Sequence, residues 1–136
     1  MSNALIRSAL ESRLKAWADS QTPTPIPVSF QNVAFNKPAG AIFLECFLIP
    51  NLTVNNELSG SRKTLKGLFQ VNCWAPKGNG MRQVETLSQS IVDLYPIVPK
   101  TGAVSVEETP SIGRAIPDDS GWVIVPVLIK YRYESV

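Results

Sequence analysis

Residues 65–95 read LKGLFQVNCWAP, then KGNG, then MRQVETLSQSIVDLY, and they predict a strand, a tight turn and a helix. In the first part apolar and polar residues alternate, which is the period of two of a half-buried strand. Pro76 cannot donate to a ladder, and Gly78 and Gly80 permit a sharp reversal. The third part places four aliphatic residues at helical spacing: Val84, Leu87, Ile91 and Leu94. A strand face and a helix stripe joined this closely must bury each other, so we predict that they form the core.

The composition is that of an ordinary globular protein. The chain has 136 residues, of which 44% are hydrophobic and 18% are charged, and this length predicts a single domain spanning residues 1–136. No apolar run approaches the roughly 20 residues of a membrane-spanning helix. We expect no secretion signal, because charged residues recur throughout the N-terminal region. The net charge of +2 is too small to indicate a nucleic-acid or membrane partner.

The remaining segments supply a second helix and further strands. An apolar stripe predicts a first helix over residues 4–19: Ile6, Leu10, Leu14 and Trp17. Residues 42–49 predict a central strand, and the polar residues 50–62 predict a long loop between central strands. The predicted fold class is therefore α+β, with a mainly antiparallel sheet and two helices packed on one face.

The end of the chain predicts a hairpin. Residues 117–121, PDDSG, have turn chemistry, and they separate residues 114–116 from a strand over residues 122–133. Pro126 lies inside this last strand. Since proline cannot donate to a ladder, we predict that the strand is an edge or that it bulges there.

The sequence offers little for catalysis or metal binding. It contains no histidine, the commonest general base and transition-metal ligand. Cys46 and Cys73 are isolated, so we expect buried free thiols rather than a zinc site or a disulfide. The adjacent carboxylates at 107–108 and 118–119 should point apart as solvated charges, and KGNG lacks the ending of a phosphate-binding loop. We therefore assign no catalytic, cofactor-binding or metal-binding residue, and expect the protein not to be an enzyme.

A small basic cluster raises the alternative of nucleic-acid binding. Arg62, Lys63 and Lys66 are close in sequence, and Phe69 and Trp74 in the same strand could stack on bases. Phe69, however, shares the parity of the core residues, and no run of aromatics interleaves with the positive charges. We favour a basic loop end over a nucleic-acid site.

Several short motifs follow one another along nearly the whole chain. They are LKAW at 14–17, PVSFQNV at 27–33, LIP at 48–50, GLFQVNCWAP at 67–76, the glycines at 78 and 80, YP at 95–96, PSIG at 110–113, GW at 121–122 and VPVLIKY at 125–131. None of them is catalytic. In their order and spacing the chain resembles the bacteriophage tail terminator, or tail completion, proteins, in the small family first described as a phage-related domain of unknown function.

This resemblance implies a structural role in virion assembly. Such proteins form a six-subunit ring on the last ring of tail-tube protein, end tube polymerisation and provide the docking surface for the head-side connector protein. The resemblance implies that genomic DNA passes through the lumen without sequence-specific binding, with no cofactor and no membrane partner. It places the protein at the neck end of the virion tail, after assembly in the host cytoplasm. The alternatives are a head-closure or head–tail joining protein and, from another class, a small nucleic-acid-binding module.

The charged residues suggest how a ring could be held together. A ring needs a head-to-tail interface in which two different patches meet. Arg62 and Lys63 end the long polar loop, whereas Asp118 and Asp119 lie at the tip of the late hairpin. We hypothesise that Arg62 or Lys63 of one subunit lies near Asp118 or Asp119 of the next, and that such pairs set register more than affinity. The alternative is that all four are solvated loop charges.

Overall fold

The computed structural model describes residues 2–21, 25–38, 40–51, 54–55, 63–78, 80–118 and 120–135. Within these residues the helices are α1 (Ser2–Asp19) and α2 (Arg82–Leu94). The strands are β1 (Val28–Ser29), β2 (Phe43–Pro50), β3 (Val54–Asn55), β4 (Lys63–Pro76), β5 (Ser105–Val106), β6 (Ser111–Ile112), β7 (Ile116–Asp118) and β8 (Trp122–Ser135). No helix in this part of the chain is both long and apolar enough to cross a membrane.

The described strands form one eight-stranded sheet, which confirms the α+β class. Its main path is β1-β2-β4-β8-β5; β3 also pairs with β4, and β6 and β7 pair with β8. The sheet is mixed, because β1 runs parallel to β2 while the other described pairs are antiparallel. The long strands β4 and β8 pair along their whole length, from Lys63 opposite Ser135 to Pro76 opposite Trp122.

The core lies between one sheet face and the helices. The alternation predicted for residues 65–76 is confirmed, since Phe69, Val71 and Cys73 are fully buried. The same buried cluster contains side chains of α1, α2, β2 and β8, among them Ile6, Leu10, Leu14, Leu44, Val84, Ile91, Val127 and Ile129. The opposite sheet face carries mostly half-buried side chains.

Two polar contacts join the end of α2 to α1. The Tyr95 hydroxyl donates to the Leu10 carbonyl oxygen at 2.7 Å, and Arg13 Nε donates to the Leu94 carbonyl oxygen at 2.6 Å. The last carbonyls of a helix have no partner within the helix, so Arg13 caps α2 from its neighbour. Burial raises the pKa of the Tyr95 hydroxyl well above its ordinary value, which keeps it protonated as a donor.

The last strand is not an edge, so that half of the prediction was wrong. Its register with β4 runs through Pro126 without a bulge, whereas on the other side the register shifts by one residue between β6 and β7. β8 has β4 on one side and β5, β6 and β7 on the other. The Pro126 carbonyl oxygen accepts the Gly113 N–H at 2.7 Å. Because the N–H and C=O of one residue in an antiparallel strand face the same neighbour, the missing N–H of Pro126 lies on the β6 side. The β4 side of the ladder therefore loses no hydrogen bond.

The other edge of the sheet is capped by a side chain. β1 ends after two residues, and Asn32 adopts the left-handed region with φ of 60°, which turns the chain away from the sheet. Gln31 Oε1 then accepts the Leu48 N–H at 2.9 Å, and Arg7 donates to the same oxygen at 2.8 Å. Gln31 thus replaces the next strand residue as the partner of β2.

The predicted long loop, residues 50–62, is only partly described. β2 extends to Pro50, and Val54–Asn55 form β3, which pairs with the beginning of β4. The expectation of an irregular segment is therefore wrong at residues 54–55. Residues 52–53 and 56–62 lie outside the described residues.

Both cysteines are free and buried, as expected. Burial raises the pKa of Cys46 and of Cys73 from 9.0 to about 12. Both should therefore react far more slowly with Ellman's reagent at pH 8 in the folded protein than after unfolding in urea. Equal reaction rates in the folded and unfolded protein would contradict the burial of these thiols.

The same pKa shift makes the stability of the protein depend on pH. Above pH 9 the unfolded thiols ionise and the folded ones do not, so the free energy of unfolding should fall by about 1 kcal/mol per thiol by pH 10.

Candidate assembly surfaces

The carboxylates considered for acid–base chemistry are held apart by separate ion pairs. Glu107 Oε2 lies 3.6 Å from Lys66 Nζ, whereas Glu108 Oε1 lies 2.7 Å from Lys130 Nζ. Each carboxylate therefore has its own cationic partner, which is the arrangement expected of separate charged side chains. Among the described residues, no group of three or more histidine, cysteine or carboxylate side chains could hold a metal ion.

The aromatic residues considered for base stacking already pack against other side chains. Phe69 is buried in the core. Trp74 stacks on Phe43 with ring centroids 5.0 Å apart, and its Nε1 donates to Glu45 Oε1 at 3.1 Å. The ammonium group of Lys37 lies 4.5 Å from the centroid of the Trp74 ring, in cation–π range. These contacts argue against base stacking by Phe69 and Trp74.

The predicted interface residues fall at opposite ends of the sheet. Lys63 is the first residue of β4, whereas Asp118 is the last residue of β7 and pairs with Trp122, opposite Pro76. The fourteen residues of β4 span about 43 Å at roughly 3.3 Å per residue. The two residues therefore do not meet within one subunit. Arg62 and Asp119 lie outside the described residues. We call the two regions the Lys63 end and the Asp118 end.

The carboxylate of Asp118 is held in its charged form. The Ser120 hydroxyl donates to it, and this bond, together with the positive charges of Lys37 and Lys77, lowers the pKa of Asp118. At neutral pH Asp118 therefore presents a negative charge at its end of the sheet.

An apolar groove lies beside Asp118, and the sequence analysis did not predict it. Its volume is about 220 Å³, and it is lined by Pro76, Lys77, Gly78, Gly80, Met81, Pro117 and Val123. Met81 immediately precedes α2, lines the groove and is 42% exposed. We call this the Met81 groove. The groove forms where the end of β4, the turn before α2 and the hairpin of β7 and β8 come together. The sequence pattern alone does not reveal it.

A second apolar feature projects from the other end of α2. Ile97 and Val98 follow Tyr95 and are 46% and 81% exposed, although both are aliphatic. The chain returns through a closed turn in which Thr101 and Val104 exchange two backbone hydrogen bonds of 3.0 Å. We call Ile97 and Val98 the apolar tip. Two aliphatic residues between prolines do not reveal their exposure in the sequence alone.

The chain matches a known family and a solved structure. A family model described as phage tail terminator protein matches residues 5–131. A solved structure, whose name carries no functional description, is similar to the chain with a TM-score of 0.79 and 33% sequence identity, over 97% of this chain and 95% of that chain. No curated protein matches the sequence.

Proposed function

Because the chain belongs to the phage tail terminator protein family, we propose that it forms a ring, built from six copies, that caps the tail tube. The ring ends polymerisation of the tail-tube protein and provides the docking surface for the head-side connector protein. Membership of the family itself establishes a role in the structure and assembly of the phage tail. The ring, its position on the tube and its two protein partners are the proposal.

The observation that carries the proposal is the extent of the family match. It spans residues 5–131 and so includes most of α1, all of α2 and almost the whole sheet. The placement of different surface features at the Lys63 end and the Asp118 end supports it further. A closed ring uses a heterologous interface, in which one patch meets a different patch on the next subunit.

The proposal has further consequences for the virion. Residues 1–136 act as one domain with a structural, non-enzymatic role and without a cofactor. The protein assembles in the host cytoplasm and stays at the neck end of the tail, where genomic DNA crosses the ring without sequence-specific contacts. Binding through phosphate contacts weakens steeply as the salt concentration rises. Capping of the tube is a contact between proteins, so it should not follow that steep dependence.

Tube polymerisation in the presence of this protein tests the proposal. The tail-tube protein of the same phage is polymerised with and without the chain, and tube lengths are measured by electron microscopy. We expect shorter tubes as the ratio of this protein to tube protein rises. Unaltered lengths at all ratios would contradict capping and would favour a role on the connector side of the neck.

The interface between subunits is proposed to include Arg62 and Lys63 of one copy and Asp118 and Asp119 of the next. Reversing Asp118 and Asp119 to lysine should weaken ring assembly, most strongly at low salt, because exposed charge pairs are screened by ions. Reversing Arg62 and Lys63 to glutamate in the same chain should restore it. Ring assembly is measured by sedimentation on tubes; full assembly by the Asp118→Lys, Asp119→Lys variant would rule out the pairing.

A further inference from the structure

The outer edge of β2 is covered by a neighbouring strand over only part of its length. β1 pairs with Leu44 and Glu45 and ends there, whereas β2 continues to Pro50. Among the described residues no other strand pairs with this side of β2. The part beyond β1 includes residues 46–49, which read Cys-Phe-Leu-Ile and carry no charge. An uncharged apolar edge of this kind is a template for pairing with another chain.

One N–H group decides whether a strand can be added at this edge. N–H groups that face the same neighbour recur at every second residue of a strand. Leu44 donates outward to the Pro27 carbonyl oxygen at 3.0 Å. The alternate residues Cys46, Leu48 and Pro50 therefore face outward too. Cys46 lies beside the end of β1, and proline has no N–H. Leu48 thus carries the last outward donor of β2.

The side chain of Gln31 occupies this donor. Its Oε1 accepts the Leu48 N–H at 2.9 Å and Arg7 Nη1 at 2.8 Å. Arg7 also donates to Glu11 Oε2 at 3.0 Å, one turn further along α1, so the helix holds the amide group of Gln31 in place. Gln31 is itself exposed. The amide group therefore lies at the surface, in the position that the backbone of an added strand would need.

We infer that Gln31 is an edge cap, which prevents β2 of one copy from pairing with β2 of a second copy of this chain. Two identical edges meet in an isologous contact about a two-fold axis, in which the two edge strands run antiparallel. In such a pair the Leu48 N–H of each copy would donate to the other strand instead of to Gln31. The inference requires neither the ring nor the tail tube, so it goes beyond the proposed function.

Removal of the cap tests the inference on the purified chain alone. Gln31→Ala deletes the acceptor at an exposed position outside the core, so the fold should be kept. Sedimentation velocity over a concentration series measures self-association. We expect Gln31→Ala to associate at a concentration about tenfold lower than the wild type, because each pair would gain two hydrogen bonds, one from each copy. Association at the same concentration as the wild type would overturn the inference.

Two further variants show whether the acceptor oxygen is the cause. Gln31→Glu keeps an oxygen that can accept from Leu48 and Arg7, so it should associate as the wild type does. Gln89→Ala is the matched control, because Gln89 is also exposed and hydrogen-bonded, but only to Asp93 on the same helix. It should leave self-association unchanged. If either variant associates as readily as Gln31→Ala, the inference is overturned.

Amide hydrogen exchange shows whether the copies meet at this edge. In dilute Gln31→Ala the Leu48 amide should exchange about tenfold faster than in the wild type, because its acceptor is lost. At concentrations where the variant associates, protection of this amide should return, since the second β2 would accept its hydrogen bond. Association without renewed protection at Leu48 would show that the copies meet elsewhere, and would overturn the inference.

Discussion

Replacing Tyr95 with alanine should lower the free energy of unfolding by about 3–5 kcal/mol, the range for loss of a large buried aromatic side chain. Tyr95 is fully buried, its ring packs on Phe69, and its hydroxyl donates to the Leu10 carbonyl oxygen. The substitution therefore removes a core contact and the bond between α2 and α1 together. Urea denaturation of the purified variant measures the effect.

Two conservative variants separate these contributions. Tyr95→Phe keeps the ring and removes the hydroxyl, so it should cost about 1 kcal/mol, the net value of a typical hydrogen bond. The control is Tyr133→Phe, at a tyrosine that is only partly buried, which should change stability by less than ~0.5 kcal/mol. A Tyr95→Ala protein within about 1 kcal/mol of the wild type would contradict the role given to this residue.

Replacing Gly67 with alanine should destabilise the protein by about 2–3 kcal/mol, although alanine is ordinarily the better residue in a strand. A Cβ at this position would clash with the Ile49 carbonyl oxygen and would lie 2.5 Å from the Tyr131 hydroxyl oxygen. Tyr131 is opposite Gly67 on β8 and is fully buried, so its ring has little room to move. The clash exceeds the roughly 0.4–1 kcal/mol that alanine gains by restricting the unfolded chain.

The adjacent Lys66→Ala variant is the matched control for Gly67→Ala. It introduces the same side chain into the same strand, but on the other face, where it removes only a partly exposed ion pair with Glu107. Such pairs contribute about 1 kcal/mol or less. The thermal midpoints of the two variants should therefore differ clearly, with Gly67→Ala the lower. A Gly67→Ala protein as stable as the wild type would show that the strands can separate enough to accept the methyl group.

Much of the fold was predictable because the core elements have clear periodicity. The alternation around Phe69 and Val71 and the helical spacing of Val84 and Ile91 both correspond to buried faces. The position of the last strand within the sheet was harder to predict, because a proline prevents hydrogen bonding only on the side that its N–H would face. Pro126 indicated an edge or a bulge, whereas its nitrogen faces β6 and leaves the β4 ladder intact. The parallel pairing of β1 with β2 could not be predicted from the sequence, since β1 is only two residues long.

The candidate surfaces were less predictable than the core. Charge is visible in a sequence, so Lys63 and Asp118 could be singled out, but their separation at opposite ends of the sheet depends on the strand register. The exposure of Val98 and the concavity beside Met81 depend on how α2 sits on the sheet. Aliphatic residues such as Val98 are ordinarily assigned to the core, and only the folded chain shows that Val98 lies outside it.

The copy number and position of this protein on tail tubes test the central claim most directly. Electron cryomicroscopy of tubes assembled with an excess of the chain gives both quantities. We predict extra density at one end of each tube only, with six-fold symmetry and one copy of this protein in each repeat. Density distributed along the tube wall, or tube ends without added density, would contradict a terminating ring.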